Sequence, residues 1–177
     1  IEKFINLGVP NNQIFITGHS CGGWITMMFL AKYPNKIAGG ISTHHACYVK
    51  LSRQYKVNKV GVEEALKKFE KKKPVAGYFR KTQIESISKA KNLPVLIFTH
   101  PKDPFDGLLS DWVENIPGTD RVVISENFKI NNKSCKRIGE NSGKRWEEPI
   151  KNGHWMAFAD CFQQYNSKIL KFIESKI

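Results

Sequence analysis

The stretch IFITGHSCGGWITMMFLAKYP (residues 14–34) decides the reading of this 177-residue chain. Ile14 to Thr17 are β-branched or aromatic and end at a glycine, the pattern of a short buried strand. Trp24 to Tyr33 is apolar at nearly every position and is stopped by Pro34. A helix that apolar all round is one that packs against a sheet. Between the two, Gly18-His19-Ser20-Cys21-Gly22 fits G-x-S-x-G. Placed directly after a strand and before a helix, this pattern forms a sharp turn that lifts the serine hydroxyl clear of the sheet. The next backbone N–H, that of Cys21, is then free to stabilise an oxyanion. The flanking glycines are expected because a Cβ at either would meet the strand or helix alongside.

Working outward, residues 2–7 read as the end of a helix stopped by Gly8 and Pro10. Further strands are expected at KIAGGIST (36–43), PVLIFTH (94–100) and RVVIS (121–125), and further helices at 62–72, 83–91, 107–116 and 160–176. Residues 48–80 otherwise read as polar, basic and irregular, and 126–152 as a long polar loop. Strands alternating with helices imply an α/β fold, a mostly parallel sheet with helices on both faces. The connection between the second and third strands is longer than a βα unit needs. Its excess, about 47–80, reads as a cap-like basic insertion in a single domain spanning 1–177.

Net charge is +12, of which residues 50–91 contribute +9, with 13 Lys/Arg against 4 Asp/Glu. Few aromatics interleave these cations, so single-stranded nucleic acid is not the expected partner. The block reads as solvated helix faces in a Lys-rich chain, with an anionic small-molecule substrate as the alternative. No apolar run is long enough to cross a bilayer. The four cysteines, Cys21, Cys47, Cys135 and Cys161, show no zinc spacing, and neither metal nor cofactor is implied. They permit three complete pairings, among which the sequence does not choose. Cys135 and Cys161 bracket the segment containing His154, so they read either as free thiols or as a disulfide that closes that loop. Such a bond would place the protein in a secreted or periplasmic setting. Asn132-Lys133-Ser134 fits a glycosylation sequon, which matters only in a eukaryotic secretory protein.

A serine hydroxyl is a poor nucleophile until a base takes its proton, and that base needs an orienting carboxylate. Both are expected on loops at the carboxyl ends of later strands, in the order acid then histidine. Strand 94–99 runs into HPKDPFD, which puts Asp103 just beyond the strand end, with Asp106 as the rival acid. Gly153-His154-Trp155 precedes the last helix, where a late histidine belongs. The expected triad is therefore Ser20, Asp103 and His154. His44 and His45 follow the second strand and read as incidental loop residues near the mouth of the site. His19 is expected to pack locally, His100 to be structural, and Trp24 and Trp155 to be core neighbours.

The string QIFITGHSCGGWITMMFLAKYP resembles the elbow region of the α/β-hydrolase superfamily, in its dienelactone-hydrolase-like and prolyl-oligopeptidase-like branches. PVLIFTHPKDPF is similar to their strand and acid loop, with His100 where a glycine usually stands, and NGHWMAF to their histidine loop. The resemblance implies hydrolysis of an ester-like acyl bond in a small-molecule substrate. Dienelactone hydrolases proper use a cysteine nucleophile, whereas the elbow centre here is serine with Cys21 one residue away, which favours general ester chemistry. A peptidase, an acyltransferase, or an idle hydrolase scaffold that serves as a binding protein would share these motifs. The superfamily sheet has further strands before the nucleophile, and one of their loops supplies the second oxyanion donor. With Ser20 so near residue 1, those strands are expected to lie upstream, leaving the IFIT strand at an apolar edge.

Overall fold

The computed structural model describes residues 1–130 and 132–177. After helix α1 (Glu2–Asn6), strands β1 (Phe15–His19), β2 (Gly39–Thr43), β3 (Val95–Thr99) and β4 (Asp120–Val123) form one parallel sheet in the order β1-β2-β3-β4. Phe15 stands opposite Gly39, Gly40 opposite Val95, and Leu96 opposite Asp120. All four carboxyl ends therefore point the same way, and the loops that leave them share one end of the molecule.

Period-two alternation along the strands divides the core. Val95 and Ile97 face helix α2 (Cys21–Lys32), helix α6 (Pro74–Ser88) and the 3₁₀ segment Gly107–Asn115, packing with Trp24, Met27, Leu30, Ile87 and Val113. Leu96 and Phe98 face the other way, onto helix α7 (Asn166–Glu174) through Phe172 and its neighbours. Trp24, Met27, Leu30 and the run Val95–Phe98 are wholly inaccessible, and each such side chain contributes roughly 1.5–3 kcal/mol of burial. Gly40 lets α2 approach the sheet closely, since a Cβ there would sit 2.6 Å from Thr26 Cγ2. β1 is an edge strand with Phe15 and Ile16 half-buried and Thr17 exposed. Ile25, on the outer side of α2, is 58% exposed.

Two expectations about the connections need correction. Residues 48–80 are mostly helical rather than irregular: α3 (Leu51–Gln54), α4 (Val57–Val60) and α5 (Val62–Lys72) lead into α6, which begins at Pro74 and not near residue 83. Pro74 fits the first helical position, where its missing N–H costs nothing. The apolar residues of α6 do not share one stripe, because Val75, Tyr78 and Phe79 are exposed while Ile87 is buried, so no helical period stands out. Residues 126–152 are likewise not a plain loop. They form two antiparallel hairpins, β5 (Lys129–Ile130) with β6 (Lys133–Ser134) and β7 (Lys136–Asn141) with β8 (Lys144–Pro149). β5 and β6 are held by backbone pairing, and β7 and β8 also by cross-strand charges such as Lys136 with Glu147, so a polar sequence with little apolar alternation still forms strands. The segment 107–116 is 3₁₀ rather than α, and the closing helix is 3₁₀ over Asp160–Tyr165 before α7 begins.

Candidate active site

Ser20 lies at the junction of β1 and α2 with φ 57° and ψ −124°. A positive φ is uncommon for a side-chain-bearing residue, and such strain is characteristic of functional turns. The surrounding glycines explain how the turn is accommodated, with one departure from expectation. A Cβ on Gly18 would fall onto the Gly22 carbonyl, and one on Gly23 would sit 2.7 Å from Ser42 Oγ. A Cβ on Gly22, the last glycine of the motif, would meet nothing within 4 Å. The steric demand therefore falls on Gly18 and Gly23. Cys21 is the first residue of α2, so its N–H is among those a helix leaves without an intrahelical partner.

His154 and Asp103 are brought together. The imidazole Nδ1 donates to Asp103 Oδ2 at 2.8 Å, and both residues are buried. Asp103 Oδ1 accepts the Phe105 N–H at 2.8 Å, which curls the acid loop around its own carboxylate. The two loops touch without a side chain between them, because a Cβ on Gly153 would lie 2.8 Å from the Asp103 nitrogen. Asn152 Oδ1 accepts the His154 N–H at 2.9 Å and fixes the turn that presents the ring. That ring sits 4.7 Å, centroid to centroid, from His19, the residue before Ser20. The serine hydroxyl itself donates to the Ala46 carbonyl at 3.3 Å rather than to His154.

Asp106 takes a different place. It is fully buried 3.8 Å from Arg80 of α6, and burial pushes its carboxyl up to about 6, against the pull of Arg80. The rival acid is thus turned towards α6, whereas Asp103 meets the imidazole.

His44 and His45 are not incidental loop residues. Both are buried, and neither ring of the two has a hydrogen-bond partner among the described residues. Burial holds His45 down to about 3 and His44 well below its usual value, and a buried imidazole with nothing to stabilise its charge stays neutral. His44 Nδ1 is 3.7 Å from Asp103 Oδ2. His19 donates to or accepts from Thr43 Oγ1 at 3.1 Å and is lowered to about 4 by burial. His100 stacks on Phe128 and accepts the Lys102 N–H at 3.0 Å, the structural role expected of it. Trp24 belongs to the core, whereas Trp155 is 39% exposed and lies beside His19 with Phe158.

The loop after β2 is the part of the site that sequence reasoning passed over. Ser20 N donates to Thr43 O at 3.0 Å and Ala46 N to Ser20 O at 3.1 Å. A Cys21–Cys47 disulfide joins the same two segments, and a Cys135–Cys161 disulfide, rather than free thiols, closes the histidine side. The available signal was the doublet His44-His45 at the carboxyl end of a strand.

No protein-family model matches the sequence, and no curated protein matches it. Solved structures do resemble it in shape. An esterase of Pyrococcus furiosus aligns over 99% of this chain and 59% of its own, with TM-score 0.51 and 10% identity. The meta-cleavage product hydrolase of Pseudomonas fluorescens aligns over 93% and 66%, with TM-score 0.53 and 11% identity. Naproxen esterase of Bacillus subtilis aligns over 96% and 62%, with TM-score 0.50 and 14% identity. The chain spans about six-tenths of the length of these proteins. The shared parallel sheet and its flanking helices are those of the α/β-hydrolase fold, and that is the fold of this protein.

Proposed function

We propose that the protein is a serine hydrolase of carboxylic esters or related acyl bonds, working through Ser20, His154 and Asp103. The observation that carries this reading is a strained serine at a strand–helix junction, on the same end of the sheet as a buried imidazole–carboxylate pair 2.8 Å apart. In the proposed cycle the Ser20 hydroxyl turns from the Ala46 carbonyl towards His154 Nε2, which takes its proton as Oγ attacks the acyl carbon. The Cys21 N–H meets the oxygen that becomes anionic, at the positive end of the α2 dipole. His154 then protonates the leaving group, and water releases the acyl chain by the same route. Asp103 fixes the imidazole tautomer and stabilises its cationic form.

Basic residues bias the substrate towards anionic esters. Arg53, Lys56, Lys102 and Lys151 line a hollow of about 400 Å³ on the outer side of the acid loop, next to Asp103. None of the four meets a carboxylate among the described residues. The motifs at the elbow, acid and histidine loops favour the dienelactone-hydrolase-like or prolyl-oligopeptidase-like branch, and the same site would serve a peptidase or acyltransferase given a different acceptor. Two disulfides favour an oxidising compartment.

The test is labelling by a fluorophosphonate probe together with turnover of short-chain aryl esters, one neutral and one bearing a carboxylate. Wild-type protein should be labelled at Ser20 and prefer the anionic ester. Ser20→Ala should abolish labelling and lower kcat by roughly 10³-fold or more. Turnover that survives Ser20→Ala would reject the assignment, and a folded wild type that is neither labelled nor active would point to a binding scaffold.

A further inference from the structure

The triad reading leaves one buried group unused. His44 follows β2 with φ 48°, a left-handed backbone that asparagine or glycine adopts at lower cost. Its side chain is inaccessible, and neither ring nitrogen has a hydrogen-bond partner among the described residues. A buried polar group without a hydrogen bond costs about 1–3 kcal/mol, so at this position the fold carries both a backbone penalty and a desolvation penalty. Leucine would remove the second and asparagine the first. What the histidine achieves is placement, since its Nδ1 is held 3.7 Å from the Asp103 oxygen that also binds His154.

We infer that His44 is a positioning residue for Asp103, donating its Nδ1–H to Oδ2 beside the donor from His154. The inference rests on the proposed triad. A carboxylate oxygen has two lone pairs, and in a nearly dry site an unmet one is expensive. Oδ1 is met once, by the Phe105 N–H, and Oδ2 once, by His154, so each oxygen keeps a second lone pair, and that of Oδ2 is the one within reach of His44. His44 has to close by about half an ångström or more to reach hydrogen-bond length. The other titratable groups around this pair are His19 from β1, His45, His100 from the end of β3, and Asp106 on the acid loop. Three of these four neighbours are imidazoles, and burial keeps them uncharged. A neutral donor suits Asp103 better than a cation would. It keeps the carboxylate ionised and aimed without cancelling the charge that stabilises the His154 imidazolium.

The loop that carries His44 is tied to the elbow by Ala46 and by the Cys21–Cys47 disulfide. His44 therefore links the element that holds the nucleophile to the element that holds the acid.

The experiment compares His44→Leu and His44→Asn with wild-type protein already shown to be labelled at Ser20. His44→Leu should lower kcat for an aryl ester about ten- to a hundredfold with KM within about twofold. It should also raise the acid limb of the pH–rate profile by about half a unit or more, because an Asp103 freed of one donor holds the His154 proton more tightly. Its melting temperature should stay close to that of wild type, since losing the donor to Asp103 is offset by removing the unpartnered Nε2 from a buried site. His44→Asn keeps an N–H donor that does not titrate and should recover most of the rate and the original acid limb.

Two results would overturn the inference. One is a His44→Leu variant with unchanged rate and pH profile. The other is a loss of Ser20 labelling as complete as in His154→Ala, which would make His44 the base itself. A lowered melting temperature with activity lost equally in both variants would reduce His44 to a structural role. If wild-type protein is not labelled at all, it is the triad reading that fails.

Discussion

Replacing Gly22 or Gly23 by alanine should have opposite effects, although the two are neighbours and only Gly22 belongs to the G-x-S-x-G pattern. Gly22 is in the first turn of α2, has no positive φ, and has open space where a Cβ would go. Alanine there reduces the entropy of the unfolded chain and improves helix propensity, a gain of about 0.5–1 kcal/mol. At Gly23 a Cβ would lie 2.7 Å from Ser42 Oγ, 3.0 Å from the Gly18 carbonyl and 3.4 Å from His45 Cα. Carbon contacts normally settle at about 3.5–4.0 Å, so α2 would have to retreat from β2 by several tenths of an ångström. Two of those neighbours are backbone in a hydrogen-bonded sheet and elbow, and overpacking of this kind costs roughly 1–3 kcal/mol. The two variants should then differ by about 2–4 kcal/mol, on the order of 5–15 °C in melting temperature for a domain of this size. Thermal unfolding followed by circular dichroism measures the gap directly. A Gly22→Ala protein destabilised as much as Gly23→Ala, or a neutral Gly23→Ala, would show that the elbow is packed differently from this description.

Asp103→Asn should leave the fold intact and lower kcat by roughly 10³–10⁴-fold, because the amide favours the wrong imidazole tautomer. Asp106→Asn should stay within about tenfold of wild type, and the reverse ranking in ester hydrolysis would reassign the acid. Stability should fall on acidification below about pH 6.5. His44 and His45 are held below their unfolded values, so the unfolded chain takes up protons first, and each group costs about 1.4 kcal/mol per pH unit until its folded value is reached, near 3 for His45. Asp106 opposes this with a slope of the same size between its unfolded value of 3.8 and about 6, where the folded state holds the extra proton. Two histidines outweigh one carboxyl, so melting temperatures measured from pH 7 to pH 4.5 should decline, and a flat or rising profile would contradict the burial of both rings.

Local sequence was sufficient wherever a pattern and its immediate neighbours carry the physics. IFIT followed by GHS and an apolar helix is such a case, because strand, turn and helix are adjacent and each constrains the next. The placement of Asp103 and His154 was legible for the same reason, as polar residues just past an apolar run or just before the last helix. The helix at 74–88 was misplaced because its apolar residues serve three surroundings, namely α5, α2 and solvent, and so show no single period. The hairpins at 129–149 are held by backbone pairing, joined in β7–β8 by exposed ion pairs, and these leave little trace in hydropathy. What only tertiary structure decided is which side chains converge across the sheet. His44 and Asp103 are 59 residues apart in the chain, yet β2 pairs with β3 in register, with Thr43 opposite Phe98, so the loops that leave the two strands meet. The pairing of β1 with β2 likewise assigned the partner of Cys21, since a disulfide forms between whichever cysteines the packed strands bring within reach.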